Sequence, residues 1–145
     1  MKGQRIIISG GTGLLGKALC ETLSRFYEVI GTYIGAYEIQ NREHVAYCKL
    51  DIRNAQGYRT LFAESEPAVV IHTASIASPD YAEKNKEITR DINIGGTEMI
   101  LSLCREFGAK FIYISSNGIY DGKRAPYGED DEAVPVNFYG EIKLE

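Results

Sequence analysis

The chain has 145 residues, 44% hydrophobic and 25% charged, with 15 Gly and no Trp. This is the balance of an ordinary globular domain with enough apolar surface for a core, and it excludes disorder. The formal net charge of −4 arises from 16 basic and 20 acidic residues without a basic block, so nucleic acid is not an expected partner.

No apolar run approaches the roughly 20 residues of a membrane span; Ile6-Ile7-Ile8 is strand-sized. No secretory pattern is visible, so the expected address is cytoplasmic, with no membrane partner. Cys20, Cys48 and Cys104 are widely spaced and, with His44 and His72, form no ligand pattern. Free thiols and no metal are expected.

Along the chain, Arg5 to Ser9 reads as a buried strand running into Gly10-Gly11-Thr12-Gly13. Leu14, Leu15, Ala18, Leu19, Thr22 and Leu23 then recur at helical spacing up to Phe26. Glu28 to Tyr33 is a second strand, 34–43 a loop, and Val45 to Leu50 a third strand ending at Asp51. Asn54 caps a helix through about Glu64, followed by the strand Ala68 to His72. Pro79 opens a long helical pattern that Gly108 ends, with Gly95-Gly96 marking a bend or a close neighbour inside it. Lys110 to Ser115 is a fifth strand. A loop rich in Gly and Pro covers 117–136, and Asn137 to Glu145 begins a last helix that runs for about two turns. A fragment of a longer protein is expected.

This order is that of a doubly wound parallel α/β sheet of Rossmann type, in which right-handed crossovers gather the strand C-terminal ends on one rim. Gly13, Asp51, Thr73 and Ser115 all fall at or just past such ends. Glycines at 10, 13 and 16 between a strand and a helix permit a tight turn and the close approach of a diphosphate. The helix N-terminus adds free N–H groups and a positive dipole end, and Gly16 allows close helix packing. An acid closing the second strand would bind a free ribose 2′-hydroxyl. Thr32-Tyr33-Ile34 has none, which leans the cofactor expectation towards NADP over NAD.

Tyr139 and Lys143 stand four apart, on one face if the segment is helical. A neighbouring ammonium favours a tyrosinate and fits the phenol for proton exchange near neutral pH. Ser116 lies just past a strand end, where a hydroxyl can hold a substrate carbonyl. His72 reads as a packed strand-end histidine, and the acidic run 129–132 as solvated loop.

These motifs, Gly-Gly-Thr-Gly-Leu-Leu-Gly at 10–16, Asp51-Ile52-Arg53, His72-Thr73-Ala74-Ser75, Asn93-Ile94-Gly95-Gly96-Thr97, Ser115-Ser116 and Tyr139 with Lys143, occur in that order over essentially the whole chain. The sequence resembles the extended short-chain dehydrogenase/reductase family of NAD(P)-dependent epimerases, dehydratases and reductases. Ser116 to Gly122, Pro126 to Asp131 and Tyr139-Gly140 are most similar to the dTDP-4-dehydrorhamnose reductase branch. The regulatory subunits of methionine adenosyltransferase share that branch's pattern.

The resemblance implies a cofactor-binding set of Gly10, Thr12, Gly13, Leu14, Leu15, Gly16 and Tyr33, with Gly10, Gly13, Leu14 and Leu15 along the diphosphate. It implies Asp51 on the adenine amino group with Ile52 beside it, and Thr73, Ala74 and Ser75 under the ribose and nicotinamide side. Asn93 would organise the helix behind the site. Ser116, Tyr139 and Lys143 would be catalytic, with Tyr139 and Lys143 also touching the cofactor. The implied activity is reduction of a nucleotide-linked 4-keto sugar. Its alternatives are an epimerase or dehydratase, or a non-catalytic NADP-binding regulatory module.

The chain departs from the family at Ser75, where many members carry Ala, and at Ile142, where many carry Ser or Thr. The family's C-terminal half, which finishes the sheet and supplies most of the sugar pocket, is not in these 145 residues. The expectation is therefore a domain over 1–145 that binds cofactor weakly and does not turn over by itself. Apolar surface beside the fifth strand is then open to self-association into a homo-oligomer.

Overall fold

The computed structural model describes residues 4–36 and 38–145. Five strands, β1 (Arg5–Ser9), β2 (Glu28–Tyr33), β3 (Val45–Lys49), β4 (Val69–His72) and β5 (Lys110–Tyr113), form one parallel sheet in the order β3-β2-β1-β4-β5. Six helices connect and flank them: α1 (Leu14–Leu23), α2 (Ala55–Ser65), α3 (Pro79–Lys84), α4 (Lys86–Arg90), α5 (Gly96–Phe107) and α6 (Phe138–Leu144). β1 lies between β2 and β4, so the strand order reverses beside it, and ligand crevices open at such a reversal.

The run Ile6-Ile7-Ile8 shows why both faces of the sheet are covered. Ile7 meets Val70, Tyr58, Phe62 and Ile100 on the α2/α5 face. Ile6 and Ile8 join Cys20, Val29 and Ile71 on the α1 face. Successive side chains of a strand point to opposite faces, so an unbroken apolar run fits only a strand with helices on both sides. Each fully buried side chain of this size contributes about 1.5–3 kcal/mol. A third cluster, Ala82, Phe138 and Ile142, ties α6 to α3.

Several boundaries differ from expectation. α1 ends at Leu23, and Phe26 is exposed beyond it in a turn. β5 stops at Tyr113, because the partner strand β4 ends opposite it at His72. The long helix expected from Pro79 is broken at Asn85, whose backbone leaves the helical region (φ −132°, ψ 54°). It resumes as α4, widens to a π turn over Asp91–Gly95 and tightens into α5. Gly96 has the close neighbour: a Cβ there would stand 2.7 Å from Ile52 Cγ1. Gly108 ends α5 in the left-handed region, as expected.

Between Ser116 and α6 the chain forms a 3₁₀ turn (Asn117–Ile119) and then a loop held by its own side chains. Tyr120 and Tyr127 stack with ring centroids 4.4 Å apart, and the Tyr127 hydroxyl donates to Asp121. Among the described residues, no helix is long and apolar enough to cross a membrane, and no group of ligating side chains is placed to hold a metal.

Candidate functional site

The chain leaves β1 through Gly10, which has φ +76° and no room for a side chain: a Cβ would stand 2.9 Å from the Ala74 backbone. The Gly13 amide closes the turn on the Gly10 carbonyl at 3.0 Å. Gly16 sits against that same carbonyl, where a Cβ would come within 2.1 Å. Glycine at 10 and 16 thus draws α1 down onto the end of β1. The first intrahelical bond, Lys17 N to Gly13 O at 2.8 Å, leaves the Leu14, Leu15 and Gly16 amides as first-turn donors without helical partners. Leu14 and Leu15 belong to no core; they are 96% and 45% exposed at the mouth of the turn.

The opposite wall follows β4. The Thr73 hydroxyl donates to Ser9 O at 2.5 Å, and Thr73 N and Ala74 N reach Ser9 Oγ at 3.2 and 3.3 Å. Behind them His72 is 2% exposed, between Ser9 Oγ (2.6 Å from Nδ1) and Thr97 Oγ1 (3.0 Å from Nε2). It is a packed histidine, and burial, then the Lys143 charge, brings its pKa down to about 4. Asn93, buried in the π turn, accepts from Ile76 N at 2.8 Å and donates to Ile76 O at 3.0 Å. It therefore clamps the loop that follows β4.

At the β2/β3 end, Asp51 binds Arg53 through three bonds, of 2.9 Å from the backbone amide and 3.0 and 2.6 Å from the guanidinium. The Arg53 hydrogen bonds hold its carboxyl down at about 2. The Tyr33 hydroxyl accepts from Ile39 N at 3.0 Å, tethering the following loop. Tyr58 on α2, which the sequence reading did not single out, is buried with its hydroxyl 2.7 Å from Thr32 Oγ1. Burial raises its pKa.

A groove of about 210 Å³ runs between these walls. It brings together Gly10, Thr12, Gly13, Tyr33, Asp51, Ile52, Thr73, Ala74 and Ser75, all expected at the site, and adds Thr32, Leu50, Tyr58 and Ile92. Its glycine floor opens towards the start of α1, and its walls mix polar and apolar groups, the kinds of surface that suit a dinucleotide's diphosphate and base.

Ser116, Tyr139 and Lys143 lie past the same rim, after β5. Ser116 Oγ accepts from Gly118 N at 3.1 Å, fixing the 3₁₀ turn. Asn137 caps α6 through Gly140 N at 2.9 Å, and Tyr139 and Lys143 then fall one helical turn apart. Gly140 packs on Gly118, and this contact brings α6 against the Ser116 turn. Lys143 is buried; its Nζ donates to Ile114 O at 3.0 Å and stands 4.5 Å over the Tyr113 ring. Burial lowers its pKa. Beside β5, at the sheet edge, a second hollow of about 550 Å³ is lined by Leu101, Phe111, Ile119 and Leu144, together with Asn93 and Lys143.

A five-stranded doubly wound sheet with a glycine turn at its strand-order reversal defines an α/β fold of Rossmann type. The chain belongs to the family described as "RmlD substrate binding domain", which it matches over residues 4–145. Methionine adenosyltransferase 2 subunit beta of Xenopus tropicalis is 34% identical over 143 residues, 99% of this chain and 41% of that protein. UDP-glucuronate 4-epimerase of Thermodesulfobacterium geofontis is 30% identical over 139 residues, 94% of this chain and 42% of that one. Among solved structures, a hypothetical dTDP-4-dehydrorhamnose reductase from Sulfolobus tokodaii superposes with a TM-score of 0.86 at 30% identity, covering 97% of this chain and 50% of that one. UDP-glucose 4-epimerase from Brucella ovis in complex with NAD gives a TM-score of 0.88 at 25% identity over 97% of this chain and 45% of that one. The chain thus spans about half or less of the length of the proteins it resembles.

Proposed function

We propose that residues 1–145 are the NAD(P)-binding domain of a short-chain dehydrogenase/reductase-type enzyme that reduces a nucleotide-linked 4-keto sugar. The observation that carries the reading is the contact between Gly140 and Gly118, which sets Tyr139 beside the Ser116 turn on the rim that holds the glycine turn. In this reading the Leu14, Leu15 and Gly16 amides bind the diphosphate, and Asp51 accepts from the adenine amino group. Thr73, Ala74 and Ser75 flank the ribose and nicotinamide, and Asn93 holds their loop in place through Ile76. A bound nicotinamide supplies the hydride. Tyr139 gives its phenolic proton to the carbonyl oxygen as negative charge develops there, and the Ser116 hydroxyl hydrogen-bonds that oxygen. Lys143 orients the ribose.

β2 ends in Tyr33 without a carboxylate, and the absence of that repulsion favours NADP over NAD. In the full-length protein, Tyr139→Phe should lower turnover at least ~100-fold while sparing cofactor affinity. Turnover like that of the parent would defeat the assignment. If the protein is instead an epimerase or dehydratase, it will purify with cofactor bound and not depend on added NADPH.

A second reading is favoured by one detail: the Lys143 ammonium is bonded to Ile114 O and lies over Tyr113. That suits a non-catalytic, NADP-binding regulatory module, as the likeness to methionine adenosyltransferase 2 subunit beta allows. Co-purification with a methionine adenosyltransferase, without NADPH consumption on any keto sugar, would establish it.

A further inference from the structure

Four hydrogen bonds in series run through the buried His72. The Thr97 hydroxyl gives its one proton to Asn93 O at 2.6 Å. Towards His72 Nε2, 3.0 Å away, Thr97 Oγ1 therefore accepts, and Nε2 must carry a hydrogen. At the other end, Ser9 Oγ accepts from Ala74 N and shares the Thr73 amide with the Ser9 carbonyl oxygen, so its own proton is directed to His72 Nδ1, 2.6 Å away. The Thr97 end specifies the form and the Ser9 end agrees with it: a neutral imidazole protonated on Nε2 and accepting on Nδ1.

The series has a definite course. It begins at the amides of Thr73 and Ala74, which wall the groove, and passes through Ser9, His72 and Thr97 to Asn93 O. The Asn93 side chain returns to the same loop at Ile76. Both ends of the 73–76 segment are thus fixed to one polar circuit. We infer that His72 is a positioning residue that, as its Nε2–H tautomer, holds the 73–76 wall of the groove in register with the π turn at Asn93.

The surroundings of the ring suit a neutral form. β5 presents Phe111 and Tyr113 to it, with ring centroids 6.0 and 6.2 Å away. α6 contributes the Lys143 cation, β1 the Ser9 hydroxyl and α5 the Thr97 hydroxyl. Among the described residues, the charge that acts on the ring is therefore positive, and the Tyr113 phenol is a further titratable neighbour. A second proton on Nδ1 would meet Ser9 Oγ, which already serves two amides.

The inference deepens the dinucleotide reading of the groove, but its test does not depend on that reading. Nitrogen-15 spectra of histidine-labelled full chain at pH 7 separate the two ring nitrogens. The exposed His44, paired with Glu28, supplies the second set of signals. His72 should show a protonated Nε2 and a bare Nδ1; an Nδ1–H tautomer or an imidazolium at pH 7 overturns the inference. Thr97→Val removes the acceptor, whereas Thr97→Ser retains it. In Thr97→Val the Ala74 and Ile76 amides should exchange with solvent roughly tenfold faster, about one lost hydrogen bond, and Thr97→Ser should restore the parent rate. Equal rates in both variants would also overturn it.

Discussion

Gly140 stands so close to Gly118 that a Cβ on Gly140 would lie 2.2 Å from the Gly118 carbonyl oxygen. The contact joins the helix of Tyr139 to the turn of Ser116, two groups that sequence alone leaves 23 positions apart. The obstacles are the Gly118 carbonyl on one side and the Pro135 ring, 2.9 Å from that Cβ, on the other, so no rotation of a flexible side chain relieves an added methyl group. Gly140→Ala should destabilise the chain by about 1–3 kcal/mol and, in a full-length protein with the proposed activity, lower turnover more than cofactor affinity. Denaturant unfolding and steady-state kinetics check the two parts.

Gly16→Ala tests the glycine turn. Its Cβ would fall 2.1 Å from the Gly10 carbonyl, forcing α1 away from the end of β1 and spoiling the aim of its first-turn amides. Binding of NADPH and NADH, followed by fluorescence, should weaken by at least roughly tenfold, because the charge-assisted bonds to the diphosphate lengthen. Unchanged affinity would place the diphosphate elsewhere.

His72 makes stability depend on pH in a defined window. Its pKa in the fold is about 4 against an ordinary 6.5, so above 6.5 both folded and unfolded chains hold it neutral. As pH falls below 6.5 the unfolded chain takes up a proton that the fold resists, and stability declines until the folded group itself titrates near 4. Between pH 7.5 and 5, before most carboxylates protonate, urea unfolding should register a loss of about 2 kcal/mol. A flat profile over that interval would contradict the buried neutral ring.

Asn93→Ala removes both bonds to Ile76 and leaves that residue's amide and carbonyl without their partners. A cost of about 1–3 kcal/mol is expected, since two hydrogen bonds to the half-buried Ile76 backbone are lost. Hydrogen exchange at Ile76 should accelerate with it.

Much of the architecture was legible because its signals are local. The Ile6-Ile7-Ile8 run, the glycines at 10, 13 and 16, the Asn54 cap and the Gly108 stop each act within a few residues. The features that were not legible depend on distant partners. Leu14 and Leu15 follow the apolar period of α1 yet are exposed; periodicity alone would bury them, and it was the family resemblance that set them beside the diphosphate. Asn85 breaks a helix whose apolar spacing continues through Ile88 and Ile92, and the π turn that follows lets Asn93 face Ile76. Tyr58 reads as a core aromatic; only the fold reveals that its hydroxyl meets Thr32 beneath the groove. The nearness of Ser116 to α6 rests on Gly118 and Gly140, neither of which carries a recognisable chemical signal.

The central claim is that a nicotinamide dinucleotide lies across the end of β1 with its diphosphate on the start of α1. Its most direct test is titration of the nitrogen-15-labelled chain with NADPH and NADH, following backbone amides. Saturable shifts at Leu14, Leu15, Gly16 and Ala74, larger than those on the outer face of α2, are the predicted result. A folded chain whose glycine-turn amides ignore both dinucleotides at millimolar concentration would contradict it.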